Sequence, residues 1–203
     1  MKHIEVELRG PLDNTTHRTL EEYLIKNGEK INTQKRIFFD LSQTIGINNR
    51  TLDVRVKITN GHIQIVIKKS NPGDVAREEA EVSVAENNLP QALHTLALLG
   101  YPKGVYGDRR ITRYKVTDVE FAIQDVINIS DGKLHSRFYE AEIMADPNEQ
   151  KEAEENLRKI LKDLGLSVFD KEGWNEYEKK MNAEANGWYD FATTDISGFI
   201  SKN

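Results

Sequence analysis

The chain has 203 residues, a formal net charge of -5 and no cysteine. That length suits one undivided core with an appendage, the acidic balance argues against a bulk electrostatic binder of DNA or RNA, and the missing cysteines exclude disulfides, thiolate zinc sites and cysteine nucleophiles. The start of the chain is charged from Lys2 and has no apolar h-region, and no stretch reaches the roughly 18 apolar residues of a membrane span, so a soluble, cytoplasmic monomer or homodimer is expected.

The first strand, His3 to Arg9, separates Glu5, Glu7 and Arg9 from Ile4, Val6 and Leu8, because side chains alternate along a strand. Thr15 or Thr16 then caps a helix striped by Leu20, Tyr23 and Leu24 and stopped at Asn27-Gly28. Strands follow at 35–41 and 51–59, the latter alternating Asp53, Arg55 and Lys57 with Leu52, Val54, Val56 and Ile58. Asn60-Gly61 is a two-residue hairpin turn, since both residues tolerate positive φ, and it returns the chain as a strand over 62–69. Asn71-Pro72-Gly73 breaks the ladder, and a fifth strand at 77–85 sets Arg77, Glu79, Glu81 and Ser83 against Ala80, Val82 and Val84.

A helix from Asn88 to Gly100 carries Pro90 in its first turn and a stripe of Leu89, Leu93 and Leu96. Strands at 105–117, 121–128 and 134–144 bring the total to eight, the last two joined at Asp131-Gly132. Asp146-Pro147 opens a third helix with Ala153, Leu157, Ile160, Leu161 and Leu164 at helical spacing, ending before Gly165. Trp174, Tyr177 and Met181 mark one more amphipathic segment, with the spacing of packing residues, and the stretch from Asn186 is loosely held or laid across a barrel mouth. The expected organisation is a domain over residues 1–165 with a helical extension and tail over 166–203 packed on it.

Alternation by itself permits an ordinary antiparallel sheet with its charged face in water. Like-charged pairs one residue apart, at Glu5/Glu7, Glu79/Glu81, Glu140/Glu142 and Arg55/Lys57, point instead to an enclosed charged face, because neighbouring carboxylates repel unless cations hold them together. Three amphipathic helices also need an apolar surface to cover, and the outside of a barrel offers one. P-loop, nucleophile-elbow and Rossmann patterns are absent, and His3, His17, His62, His94 and His135 never pair at ligand spacing.

The ordered set Glu5-x-Glu7-x-Arg9, Arg55-x-Lys57, Ile65-x-Ile67-Lys68, Arg77-x-Glu79-x-Glu81, Arg113-Tyr114, Asp125 and Glu140-x-Glu142 resembles the CYTH superfamily, the triphosphate tunnel metalloenzymes. The resemblance implies an α+β fold: a closed antiparallel eight-stranded β-barrel with helices outside and both charge signs within. It implies Mg2+ or Mn2+ held by Glu5, Glu7, Glu140 and Glu142, and a small-molecule triphosphate held by Arg9, Arg55, Lys57, Lys68, Arg77, Arg109 and Arg113. Glu79, Glu81 and Asp125 match acids that orient those bases or complete the metal shell. Arg9 departs from the family's usual lysine. On the sixth strand Arg109 and Arg113 share a face and Arg110 lies on the other, as a surface residue. The expected activity is metal-dependent triphosphate hydrolysis, with a class IV type adenylyl cyclase and a non-catalytic polyphosphate binder as alternatives; neither nucleic acid nor membrane is an expected partner.

Overall fold

The computed structural model describes residues 4–42, 52–69, 76–146 and 148–200. The expectations for His3, for the breaker Asn71-Pro72-Gly73 and for Pro147 lie outside those residues. In chain order come β1 (Ile4–Leu12), α1 (Asn14–Asn27), β2 (Glu29–Asp40), β3 (Leu52–Thr59), β4 (His62–Lys69), β5 (Ala76–Val84), α2 (Leu89–Leu98), β6 (Lys103–Val116), β7 (Val119–Ile127), β8 (Leu134–Ala145), α3 (Gln150–Asp163), α4 (Lys171–Glu184), β9 (Gly187–Asp190) and α5 (Ser197–Ile200).

Local chemistry accounts for most of these boundaries. The cap of α1 is Asp13 rather than a threonine: its carboxylate accepts from the backbone N–H of Thr15 and Thr16, while the Asp13 backbone N–H donates to the Thr16 Oγ1. Asn60 and Gly61 take φ of 48° and 84° between β3 and β4, as a type I′ turn requires. Gly165, with φ of 70°, follows α3, whose N-cap is Glu149. β2 begins at Glu29, well before the expected residue 35, because its first half pairs with the end of β6 although its sequence lacks an apolar alternation.

The expected closed eight-stranded barrel is corrected. The described strands form one nine-stranded antiparallel sheet in the order β2-β3-β4-β5-β1-β8-β7-β6-β9. It curls until β2 also pairs with β6, from Glu29↔Lys115 to Asp40↔Val105. On the far side, β1 and β5 pair at Glu5↔Arg77 and Val6↔Ala76, where the described part of β5 begins, while β1 pairs with β8 from Ile4 to Leu12 and β5 with β4 from Glu78 to Val84. The ninth strand comes from the extension, where four residues without alternation add to β6 at Lys103–Tyr106.

The outer face of the curl is apolar. Leu8, Phe121, Ile123, Tyr139 and Ala141 pack under Leu20 and Leu24 of α1 and Leu157 and Leu161 of α3. Phe39, Val54, Val56, Ile58 and Ile63 pack under Leu89, Leu93 and Leu96 of α2, joined by Tyr189 of β9. These side chains are almost wholly buried, each of the large aliphatic and phenyl groups stabilising the fold by roughly 1.5–3 kcal/mol. The inner face is thereby left to the charged residues.

The link between α3 and α4 is pinned against β1, where the Phe169 amide donates to the Arg9 carbonyl at 2.8 Å and the Tyr139 hydroxyl to the Ser167 carbonyl at 2.8 Å. Gly10 makes room for it: a Cβ there would stand 1.8 Å from the Ser167 carbonyl oxygen and 2.6 Å from the Tyr139 ring. Gly10→Ala is therefore expected to destabilise the protein by about 1–3 kcal/mol, the usual cost of overpacking. An unchanged melting temperature would show that this link is not held against β1.

Candidate functional site

The inner faces of the strands enclose a cavity of about 550 Å³. Its charges are sorted by strand. The bases come from neighbouring strands: Arg109 and Arg113 on β6, Arg36 on β2, Arg55 and Lys57 on β3, and Lys68 on β4. The acids come from the other arc: Glu79 and Glu81 on β5, Glu5 and Glu7 on β1, Glu140 and Glu142 on β8, with Glu120 and Gln124 on β7 turned the same way. Three residues break the division, Arg9 on the acidic arc and Asp40 and Asp53 on the basic one.

Ion pairs form where the two arcs meet. At the β4/β5 boundary Lys68 Nζ lies 2.6 Å from Glu79 and 3.6 Å from Glu5, and Lys57 Nζ lies 3.6 Å from Glu79 and 3.5 Å from Glu81. At the β6/β7 boundary Arg113 pairs with Glu120. Burial opposes ionisation of Glu79, but Lys68 and Lys57 outweigh it and push the group down to about 2.

Midway along the acidic arc the balance reverses. Glu7 and Glu142 are direct cross-strand neighbours. Burial, reinforced by Glu120 and Glu7, pushes Glu142 up to about 7; burial, reinforced by Glu7 and Glu142 against the pull of Lys68, pushes Glu5 up to about 8. Arg9 offsets part of this excess, pairing with Glu7 and, at 2.8 Å, with Glu140, its guanidinium lying 4.8 Å from the centre of the Trp174 ring. On the basic arc Arg55 is neutralised locally: Nε and Nη2 each donate at 2.7 Å to Asp53, and Asp40 lies 3.6 Å away.

One end of the cavity is lined by α4 and the residues after it, through Trp174, Glu178, Met181, Asn182 and Asn186. Trp174 and Met181 thus do more than pack: they join Phe138 in a buried cluster and also face the cavity. Arg109 is committed to this end, donating to the Asn186 Oδ1 and the Asp108 carbonyl and lying over Phe38, and burial lowers it to about 10. Residues toward the other end, Glu81 and Met144, are largely exposed.

Most residues singled out in the sequence therefore meet in one place: Glu5, Glu7, Arg9, Arg55, Lys57, Lys68, Glu79, Glu81, Arg109, Arg113, Glu140 and Glu142 all line the cavity. Arg110 is exposed, on the opposite face of β6. Asp125 is not part of the lining; it is the cross-strand partner of Arg137, 2.7 Å away, and Gln124 holds the inward position, bonded to Glu140. Arg77 lies on β5 opposite Glu5, and its side chain is outside the described residues. Sequence reading missed Gln34, Arg36, Asp40, Gln64, Gln124 and Glu178. For Arg36 and Asp40 a signal existed, since they lie four residues apart on the inward phase of β2; Glu178 had none.

The CYTH domain matches residues 3–173, and the chain belongs to the CYTH family. Among functionally curated proteins no sequence matches it. Solved structures share the fold at low identity. The PH1819 protein of Pyrococcus horikoshii OT3 is 21% identical with a TM-score of 0.68, over 87% of this chain and 98% of its own. A candidate adenylate cyclase from Vibrio parahaemolyticus is 18% identical with a TM-score of 0.58, over 82% and 91%. HpAC1 from Hippeastrum, a candidate adenylyl cyclase described as having a dominant triphosphatase activity, is 17% identical with a TM-score of 0.50, over 82% and 90%.

Members of this family generally depend on a divalent metal. Among the described residues no three carboxylates or imidazoles converge on one point. The acidic arc nevertheless fits a hard cation: its donors are all carboxylate oxygens, they carry surplus negative charge, and magnesium ordinarily takes one or two carboxylates and completes its shell with water and phosphate.

The raised carboxyls set a pH dependence. The unfolded chain releases these protons near the ordinary value of 4.5, whereas folded Glu142 and Glu5 hold them to about 7 and about 8, so each removes stability as pH rises through that interval. In chelator, the wild-type melting temperature is expected to fall more steeply than that of Glu142→Gln between about pH 5 and about pH 8. Magnesium or manganese added at the upper pH should raise it in the wild type more than in the variant. Identical slopes would show that Glu142 is ionised throughout.

Proposed function

We propose that this protein hydrolyses a small triphosphate inside the cavity in a divalent-metal-dependent reaction. The observation that carries this reading is the division of one 550 Å³ cavity into a basic and an acidic arc. A triphosphate is a chain of anionic groups that needs cations along its length, and the opposing carboxylates provide the place for a metal that shares the phosphate oxygens. The described activity of HpAC1, on the same fold, agrees with it.

In this reading Lys57, Lys68 and Arg113 bind phosphate oxygens, and each already has an acid that sets its direction: Glu79 and Glu81 for Lys57, Glu79 for Lys68, and Glu120 for Arg113. Glu79 is a positioning group, since a carboxyl held near 2 is too weak a base to accept a proton from water at neutral pH. Glu5, Glu7, Glu140 and Glu142 would hold magnesium or manganese. When bound, such an ion polarises phosphate oxygens and lowers the pKa of coordinated water. Arg9 holds Glu7 and Glu140 in place from within the acidic arc and is itself held over Trp174. Most of the acceleration would come from positioning and charge stabilisation around the phosphorus.

A second reading, ring closure of ATP by its ribose 3′-hydroxyl, uses the same charged residues and needs in addition a surface for the purine. Phe38, Phe138 and Trp174 at the α4 end are what favours it.

The test is phosphate release from tripolyphosphate, thiamine triphosphate and ATP with magnesium, with manganese and with chelator, following cyclic AMP in the ATP sample. Metal-dependent phosphate release without cyclic AMP is the expected result, and Glu142→Gln should reduce kcat/KM by on the order of a hundredfold or more while the fold persists. Cyclic AMP with pyrophosphate would put the second reading first, and no release from any of the three would overturn hydrolysis.

A further inference from the structure

Arg36 was not marked by any sequence motif, yet it lies at the centre of the basic arc. Its strand, β2, runs between β3 and β6, and its cross-strand neighbours are Thr59 and Arg109. Every other base on that arc has a commitment. Arg55 is bound to Asp53, Lys57 lies beside Glu79 and Glu81, Lys68 contacts Glu79, Arg113 contacts Glu120, and Arg109 is taken up by Asn186 and the Asp108 carbonyl. Among the described residues Arg36 has a single hydrogen bond, from Nε to the Thr59 Oγ1 at 2.9 Å. Among the described residues no carboxylate stands within ion-pair distance of it. Burial, with Arg113 and Arg55 nearby, lowers its affinity for its proton, and the more distant carboxylates of Glu140 and Glu81 offset only part of that.

A guanidinium kept for structural reasons normally brings an acid with it, because a half-buried cation without a partner costs stability. Here the bond to Thr59 fixes the plane of the fork and leaves both terminal nitrogens, in the cavity wall, to a ligand. A planar fork with two free donors suits an anion that offers two oxygens on one centre, as a phosphoryl group does.

We propose that Arg36 is a phosphate-binding residue of the cavity, taking a phosphoryl group of a polyphosphate chain between Lys57 and Arg113. This rests on the triphosphate reading above and adds to it a contact on β2 that completes a continuous row of bases across β6, β2, β3 and β4.

The test compares wild type, Arg36→Met, Arg36→Lys and, as an outer-face control on β6, Arg110→Met. Each is melted without ligand and then titrated with inorganic tripolyphosphate, in chelator and in magnesium. Without ligand, Arg36→Met should melt at or above the wild type, because an unpartnered cation has been removed. Its affinity for tripolyphosphate should fall by about tenfold to a hundredfold, Arg36→Lys should recover part of the loss, and Arg110→Met should bind as the wild type does. Wild-type affinity in Arg36→Met would overturn the inference and leave the function standing, as would an Arg36→Met protein that melts well below the wild type, the sign of a structural role. A wild type that binds no tripolyphosphate in either condition would overturn the function itself, and this inference with it.

Discussion

The constraint on which the rest depends is that this sheet turns its charged face inward. Charges taken out of water must be paired or matched to a ligand, and the curl meets that demand at two seams, β4/β5 and β6/β7, where a base-bearing strand lies beside an acid-bearing one. Away from the seams the demand is met only in part. Carboxyls crowd around Glu7 and Glu142, and burial with that crowding pushes Glu142 and Glu5 above the ordinary carboxylate range, while Arg36 lies among other bases with no carboxylate at ion-pair distance among the described residues. The two unsatisfied regions have opposite sign and share one cavity, a distribution suited to a metal on one side and a polyanion on the other.

The three residues that break the division make sense in the same terms. Arg9 lies where the acids are densest and takes up Glu7 and Glu140, while Asp40 and Asp53 lie beside Arg55. Each reduces an excess without removing it. The helices matter because they make this arrangement affordable: α1, α2 and α3 cover the apolar outer face, so that the strands need no apolar core within. α4 has another part, presenting Trp174, Glu178 and Met181 to the cavity and giving Arg9 an aromatic surface.

Legibility followed periodicity. Where a strand alternates clearly, as in β1, β3 and β8, its inward residues could be named from the order of the letters, and the phase of β6 was readable from the spacing of Arg109 and Arg113. On β7 the family resemblance points to Asp125, whereas the run of Phe121, Ile123 and Asp125 belongs to the outer face and Gln124 to the inner one. The first half of β2 has no apolar alternation to mark its start at Glu29, and Arg36, inside the expected strand over 35–41, has no like charge two residues away to single it out. β9 has too few residues to show a period and exists because the exposed edge of β6 is there to pair with.

The amino-acid sequence by itself determined which residues share a strand face, where the hairpin turns, and that like charges recur in pairs, because these depend on the two-residue period and on the φ preferences of Asn and Gly. Only the tertiary structure decided which strands are neighbours beyond those that a hairpin joins. That choice sorts the bases and acids into two arcs, adds a ninth strand, and brings α4 to one end of the cavity. Strand adjacency arises from contacts between residues far apart in the chain, and the excess charge at Arg36 or Glu142 is a property of what stands beside each in space, which no local pattern of letters contains.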